Sequence, residues 1–128
     1  MRRIEWTAVA AAGAAAIAGA GGAAAARPHL GSLRVAPSPA RPGQLVRITG
    51  NARTCAVGDR VTIISHAFAP VHRFAGVPAV YTTVEGHEIA SFHAATRIPA
   101  SRAPGRYAVT ARCGGANLGT VARLTVRN

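Results

Sequence analysis

From Pro28 to the end of the chain, apolar residues recur at every second position in short runs bounded by proline or glycine, and no helical period of useful length appears. A strand turns successive side chains to opposite faces, so such runs fit half-buried β-strands rather than helices. Leu33 and Val35 alternate around Arg34, and the APSPARPG stretch that follows stops the strand, because proline has no N–H to give a ladder. LVRITG then sets Val46 and Ile48 on one face and Leu45, Arg47 and Thr49 on the other. A Gly58-Asp59 turn leads into a strand with Val61 and Ile63 opposed to Thr62, Ile64 and His66.

The second half follows the same rule. APVHRFAGVPAVYTTVEG is the least regular stretch and predicts one or two short edge strands around Val80 to Val84. HEIASFHAATRIP predicts a strand with Phe92 and Ile98 inward and a bulge between them. After a Pro104-Gly105 turn, Tyr107, Val109, Ala111 and Cys113 point one way, and Arg106, Thr110 and Arg112 the other. GGANLG reads as a hairpin loop, and the last run places Ala122, Leu124 and Val126 inward with Arg123, Thr125 and Arg127 outward. About seven strands at this spacing predict an all-β, immunoglobulin-like two-sheet antiparallel β-sandwich.

The first 26 residues differ from this pattern. MRRIEW carries two arginines, an alanine- and glycine-rich segment follows, and Ala24, Ala25 and Ala26 supply small residues for cleavage. This is a signal-peptide layout, with residues 1–26 as the leader and 27–128 as the domain. The alternative is an uncleaved anchor, since Thr7 to Ala26 spans 20 residues. Alanine and glycine make a poor lipid-facing helix, however, and no charged stop-transfer cluster follows, so no stable membrane span is expected after cleavage. Arg2-Arg3 also raises the twin-arginine route, which Glu5 fits poorly.

Cys55 and Cys113 both fall in the exported part. An even pair without Cys-x-x-Cys spacing, in a small domain bound for an oxidising compartment, predicts a disulfide. In a sandwich of this type Cys55 follows the second strand and Cys113 ends the sixth, and these two strands face each other across the sheets, so the bond would clamp one end.

Four of these stretches, VAPSPARPGQLVRITG, CAVGDRVTIISHAF, IPASRAPGRYAVTARCGG and NLGTVARLTV, together resemble small secreted actinobacterial proteins made of a signal peptide and one immunoglobulin-like domain. The resemblance implies export and the sandwich fold, and it brings no defined activity. At fold level the chain is also similar to antibiotic-carrier apoproteins of the neocarzinostatin type, which use two disulfides where this chain has one cysteine pair.

Chemistry is sparse. Past residue 26 the acids are Asp59, Glu85 and Glu88, and Ser65 and His66, as strand neighbours, would point apart, so no catalytic constellation forms and no enzyme is expected. The histidines, His29, His66, His72, His87 and His93, lack His-x-His spacing, so no metal or cofactor is expected. What remains is charge: all 15 cationic side chains are arginines, and there is no lysine. That bias follows a composition rich in alanine, glycine and proline and argues against nucleic acid as the partner, so placement matters more than the sum. If the third, sixth and seventh strands share a sheet, Arg60, Arg106, Arg112, Arg123 and Arg127 gather with His66 on its outer face.

The expectation is a secreted, non-enzymatic binding or cell-surface module, loosely wall-associated, whose partner is an anionic cell-wall polymer or an extracellular protein. The alternative is a soluble carrier of a small molecule or metal ion. Removal of the leader is checked by N-terminal sequencing of protein from culture medium, which is expected to begin at or near Arg27. Intact Met1 on membrane-bound material would contradict it.

Overall fold

The computed structural model describes residues 31–52, 55–86, 90–114 and 116–128. The leader and its cleavage site, His29, His87 and Glu88 lie outside them. Eight strands form two antiparallel sheets: β1 (Ser32–Ala36), β2 (Leu45–Asn51), β3 (Arg60–Ile64), β4 (His72–Phe74), β5 (Val77–Thr83), β6 (Ser91–Arg97), β7 (Gly105–Cys113) and β8 (Ala116–Val126). The order is β1-β2-β6 in one sheet and β4-β5-β3-β7-β8 in the other. The two pack as a β-sandwich. Among the described residues there is no helix long and apolar enough to cross a membrane.

Alternation sets which face each strand buries. Val46 and Ile48 of β2, Val61 and Ile63 of β3, Val109 and Ala111 of β7, and Leu124 and Val126 of β8 are all almost fully buried between the sheets. Each of the valine, isoleucine and leucine side chains is worth roughly 1.5–3 kcal/mol when removed from water, so reversing the parity of one strand would forfeit one or two of them at once. Gly50 makes room for this packing. It pairs with Phe92 of β6, and a Cβ there would strike the Phe92 ring and the Ser32 carbonyl.

The prolines at 37 and 39 end β1, and the chain moves across to the other sheet, where Ala40 forms a parallel bridge to Val126. The Ala40 N–H donates to the Thr125 carbonyl at 2.8 Å, and the Arg127 N–H to the Ala40 carbonyl at 2.9 Å, which covers part of the β8 edge. Between β3 and β4 the chain dips inward and buries Phe68 completely. Arg102 holds that loop: its guanidinium donates to the carbonyls of Ala67 at 3.4 Å and Phe68 at 3.1 Å. Alternation could not assign Phe68 to the core, because it lies on no strand.

Several boundaries differ from the sequence reading. The irregular stretch holds two strands, within the expected number, but β5 is paired on both sides and only β4 is an edge; Ala75-Gly76, with φ of 52° and 84°, joins them with the sign pattern of a type I′ hairpin turn. β6 carries no bulge; its register with β2 runs unbroken from Ser91↔Asn51 to Arg97↔Leu45. Even numbering from Phe92 to Ile98 already keeps both on the inward face, so no extra residue is needed. The irregularity falls instead between Thr110 and Arg112, against β8. β8 also begins earlier than expected, at Ala116, because Ala116 and Asn117 pair with Cys113 and Arg112.

Cys55 and Cys113 form the disulfide, with α-carbons 6.5 Å apart and a sequence separation of 58. Cys55 lies on the crossing from β2 to β3, so the bond ties that crossing to the end of β7. Closing a loop of this length restricts the unfolded chain by about 4 kcal/mol in the chain-entropy model. At the other end of β7 the Tyr107 hydroxyl donates to the Ala103 carbonyl at 2.6 Å while its ring packs, half-buried, against the core. Tyr107→Phe is expected to lose about 1 kcal/mol of unfolding free energy in urea through this one hydrogen bond. Unchanged stability would mean that the ring alone matters.

Candidate functional site

β3, β7 and β8 are neighbours in the five-stranded sheet, so the parity that buries their apolar residues turns Arg60, Arg106, Arg112 and Arg123 to its outer face. Their cross-strand partners are neutral: Arg60 pairs with Thr83, Arg106 with Thr125, Arg123 with Ala108, and Arg112 with Thr62 and Asn117. No arginine sits directly opposite another, so the like charges meet only on diagonals, where repulsion is weaker. Arg106 and Arg112 are six residues apart on β7, or about 20 Å at the usual strand rise. The charges form a long track rather than one cluster.

Two residues that the sequence grouped with this face lie off it. Arg127 falls beyond the end of β8 and, with Arg41, lines a cleft of about 280 Å³ that Pro39, Ala40 and Asn128 complete. His66 is exposed in the turn after β3.

The face also holds aromatic residues that alternation did not single out. The Arg60 guanidinium carbon is 4.9 Å from the centroid of the Tyr81 ring, and the His72 ring lies 4.9 Å from the same ring, tilted by 37°. The Tyr81 hydroxyl reaches the Arg73 carbonyl at 3.5 Å. Arg112 lies 5.1 Å from the Phe74 centroid, although β5 and β3 stand between their strands, so both side chains lie down across the sheet. Ala79, paired with His72 and Ile64, is only 1% exposed, while Tyr81 and Phe74 keep 37% and 38% of their surface in water. Arg60 and Arg112 are therefore held over rings at one end of the track, and Arg106 and Arg123 extend freely at the other. The Tyr81 signal was present in the YTT alternation; Phe74 was hidden because its strand pairing could not be read locally.

Arginine is not confined to this sheet. Arg34, Arg47 and Arg97 project from the outer face of the three-stranded sheet, beside a shallow groove of about 610 Å³ lined by Ser32, Arg34, Thr49, Asn51 and Ser91. Among the described residues, the five-stranded face differs in that two of its arginines, Arg60 and Arg112, lie over aromatic rings. A third recess of about 220 Å³ lies between Val71, His72 and Tyr81 on one side and Ala95 and Thr96 of β6 on the other.

Among the described residues, the donor atoms of Cys55, Asp59 and Cys113 lie within 4.8 Å of one another. Both sulfurs are committed to the disulfide, and an Asp59 carboxylate oxygen accepts the Ala56 N–H at 2.9 Å, closing the turn before β3. That set offers no thiolate to a metal. His93 approaches the Glu85 carboxylate at 3.4 Å, an exposed contact of small energetic weight.

No family model matches the chain, and no curated protein matches it. Among solved structures it is similar to the Pseudomonas fluorescens alkylpurine DNA glycosylase AlkC, with 16% identity and a TM-score of 0.47 over 77% of this chain. It spans 30% of the glycosylase's length. The human F-spondin reeler domain gives 16% identity and a TM-score of 0.47, over 76% of this chain and 89% of that one. An uncharacterised protein from Bacillus anthracis str. Ames gives 12% and 0.43, over 73% and 80%.

The two kinds of arginine should respond differently to substitution. Arg112→Gln is expected to lower stability by about 0.5–1 kcal/mol through its lost contacts, that with Phe74 among them, and Arg123→Gln to leave it within about 0.5 kcal/mol, both measured by urea unfolding. Equal effects would mean that the Phe74 contact carries no energy.

Proposed function

We propose that this chain acts outside the cell as a non-enzymatic binding module, holding an anionic polymer of the cell surface against the outer face of its five-stranded sheet. The observation that carries this is the placement of Arg60 and Arg112 over Tyr81 and Phe74, with Arg106 and Arg123 continuing the charge along β7 and β8. A guanidinium presents a planar set of donors that matches phosphate and carboxylate oxygens two at a time, and it stays charged at any physiological pH. Stacking on a ring restrains the side chain beforehand, so less rotamer freedom is lost when the anion arrives.

The disulfide fits an oxidising, extracellular setting, since such bonds persist there and are rare in reducing compartments. The carrier alternative draws less support. The space between the sheets is filled by Ile48, Ile63, Phe68, Ile98 and Leu124, all fully buried, which leaves the surface as the place for a ligand.

Retention on purified bacterial cell walls tests the proposal. Arg106 and Arg123 are the residues to replace by serine, because Arg60 and Arg112 also pack on Tyr81 and Phe74 and their loss would confuse binding with stability. Removing these two exposed charges is expected to reduce retention at low salt several-fold, on the order of fivefold, and salt should weaken the parent protein steeply, since exposed charges are screened over about 10 Å at 0.1 M. Equal retention of the two proteins at low salt would remove the proposal and leave the arginines as a solvated surface.

A further inference from the structure

Between its charges the outer face carries hydroxyls beside the apolar Ile64, Ala108 and Val121. Thr62 of β3, Thr83 of β5, Thr110 of β7 and Thr125 of β8 share the outward parity of the arginines, and each of Arg60, Arg106 and Arg112 has one of them as its direct cross-strand partner. Thr62 and Thr110 are half-buried at the centre of the sheet, on adjacent strands. A threonine hydroxyl both donates and accepts, whereas a guanidinium only donates. The combined surface therefore suits a ligand that carries hydroxyls as well as anionic groups.

The aromatic rings narrow the ligand in the same direction. Tyr81 has Arg60 on it and His72 beside it, and Phe74 has Arg112 on it, so the ring faces are already engaged by cations or another ring. Single-stranded nucleic acid draws its affinity from open aromatic faces on which flat bases stack. Here the rings serve to hold guanidiniums in place. Length matters as well: a small anion could engage Arg112 or Arg106, but not both across about 20 Å of β7.

We infer that the ligand of this face is an extended acidic glycan, a sugar polymer bearing carboxylate or phosphate groups, lying along β7 and β8 with its anionic groups on the arginines and its hydroxyls on Thr62 and Thr110. The inference rests on the binding role proposed above and specifies the chemistry of the partner. The two arginine pairs at the ends of the track fix the polymer by charge. Thr62 beside Arg112 and Thr110 further along β7 distinguish a polyhydroxylated chain from any other polyanion.

The experiment titrates the full chain with polygalacturonate fragments of increasing length, a carboxylated sugar polymer, and compares inorganic polyphosphate and single-stranded DNA matched in number of charges and in salt. The glycan is expected to bind tighter than both comparators, with affinity rising until the fragment spans about 20 Å and then levelling. Thr62→Val combined with Thr110→Val keeps β-branched side chains of nearly the same size, and is expected to weaken the glycan about tenfold while leaving polyphosphate unchanged. Comparison of the three ligands on the unsubstituted chain needs no variant, so it stands even where the double substitution disturbs folding. Polyphosphate or DNA binding as tightly as the glycan at matched charge would overturn the inference and leave a face that reads charge alone. Absence of binding to every polyanion would overturn the binding role with it.

Discussion

The constraint on which the rest of this structure depends is the burial of two facing sets of alternate side chains. A strand has a side-chain period of two, so once Val61 and Ile63, or Val109 and Ala111, must face the opposite sheet, their neighbours have no choice of direction. The outer face is thereby set by the inner one. Arg60, Arg112 and Arg123 are outward because the residues beside them are needed inside, and a slip of one position would bury charge and expose the core together.

Loops are fastened to this frame by a few specific contacts rather than by extra core. The disulfide fixes the crossing that enters β3 to the end of β7, the Tyr107 hydroxyl fixes the turn at the other end, and Arg102 holds the loop that carries Phe68 inward. β7 takes part in two of these three and pairs with both β3 and β8. It is the strand that positions the arginine track, so the rigidity of the face derives from the same links that close the domain.

The character of the face comes from what stands opposite each charge. Four arginines on three strands could have repelled one another across the ladder, but the registers interpose Thr83, Thr62, Thr125 and Ala108. Repulsion along the diagonals is modest in salt. At the β4–β5 end the aromatic rings add a second device, binding two guanidiniums against the sheet and covering Ala79, so the face is partly a packed layer and not a bare surface.

The sequence by itself determined the sandwich, the inward residues of six strands and the cysteine pairing, because each follows from alternation, from turn residues or from the count of two cysteines in a domain with few other ways to hold itself closed. It also determined the outward direction of Arg60, Arg106, Arg112 and Arg123, which needs only their parity. It could not assign Phe68 to the core, since a loop residue has no period to read, nor detach Arg127 from the sheet, since parity does not say where a strand stops. Only the tertiary structure brought Phe74 to Arg112 and set a threonine or alanine against each arginine of β3, β7 and β8. Those contacts depend on strand order and register, which arise from pairing between segments far apart in the chain and leave no mark on either segment alone.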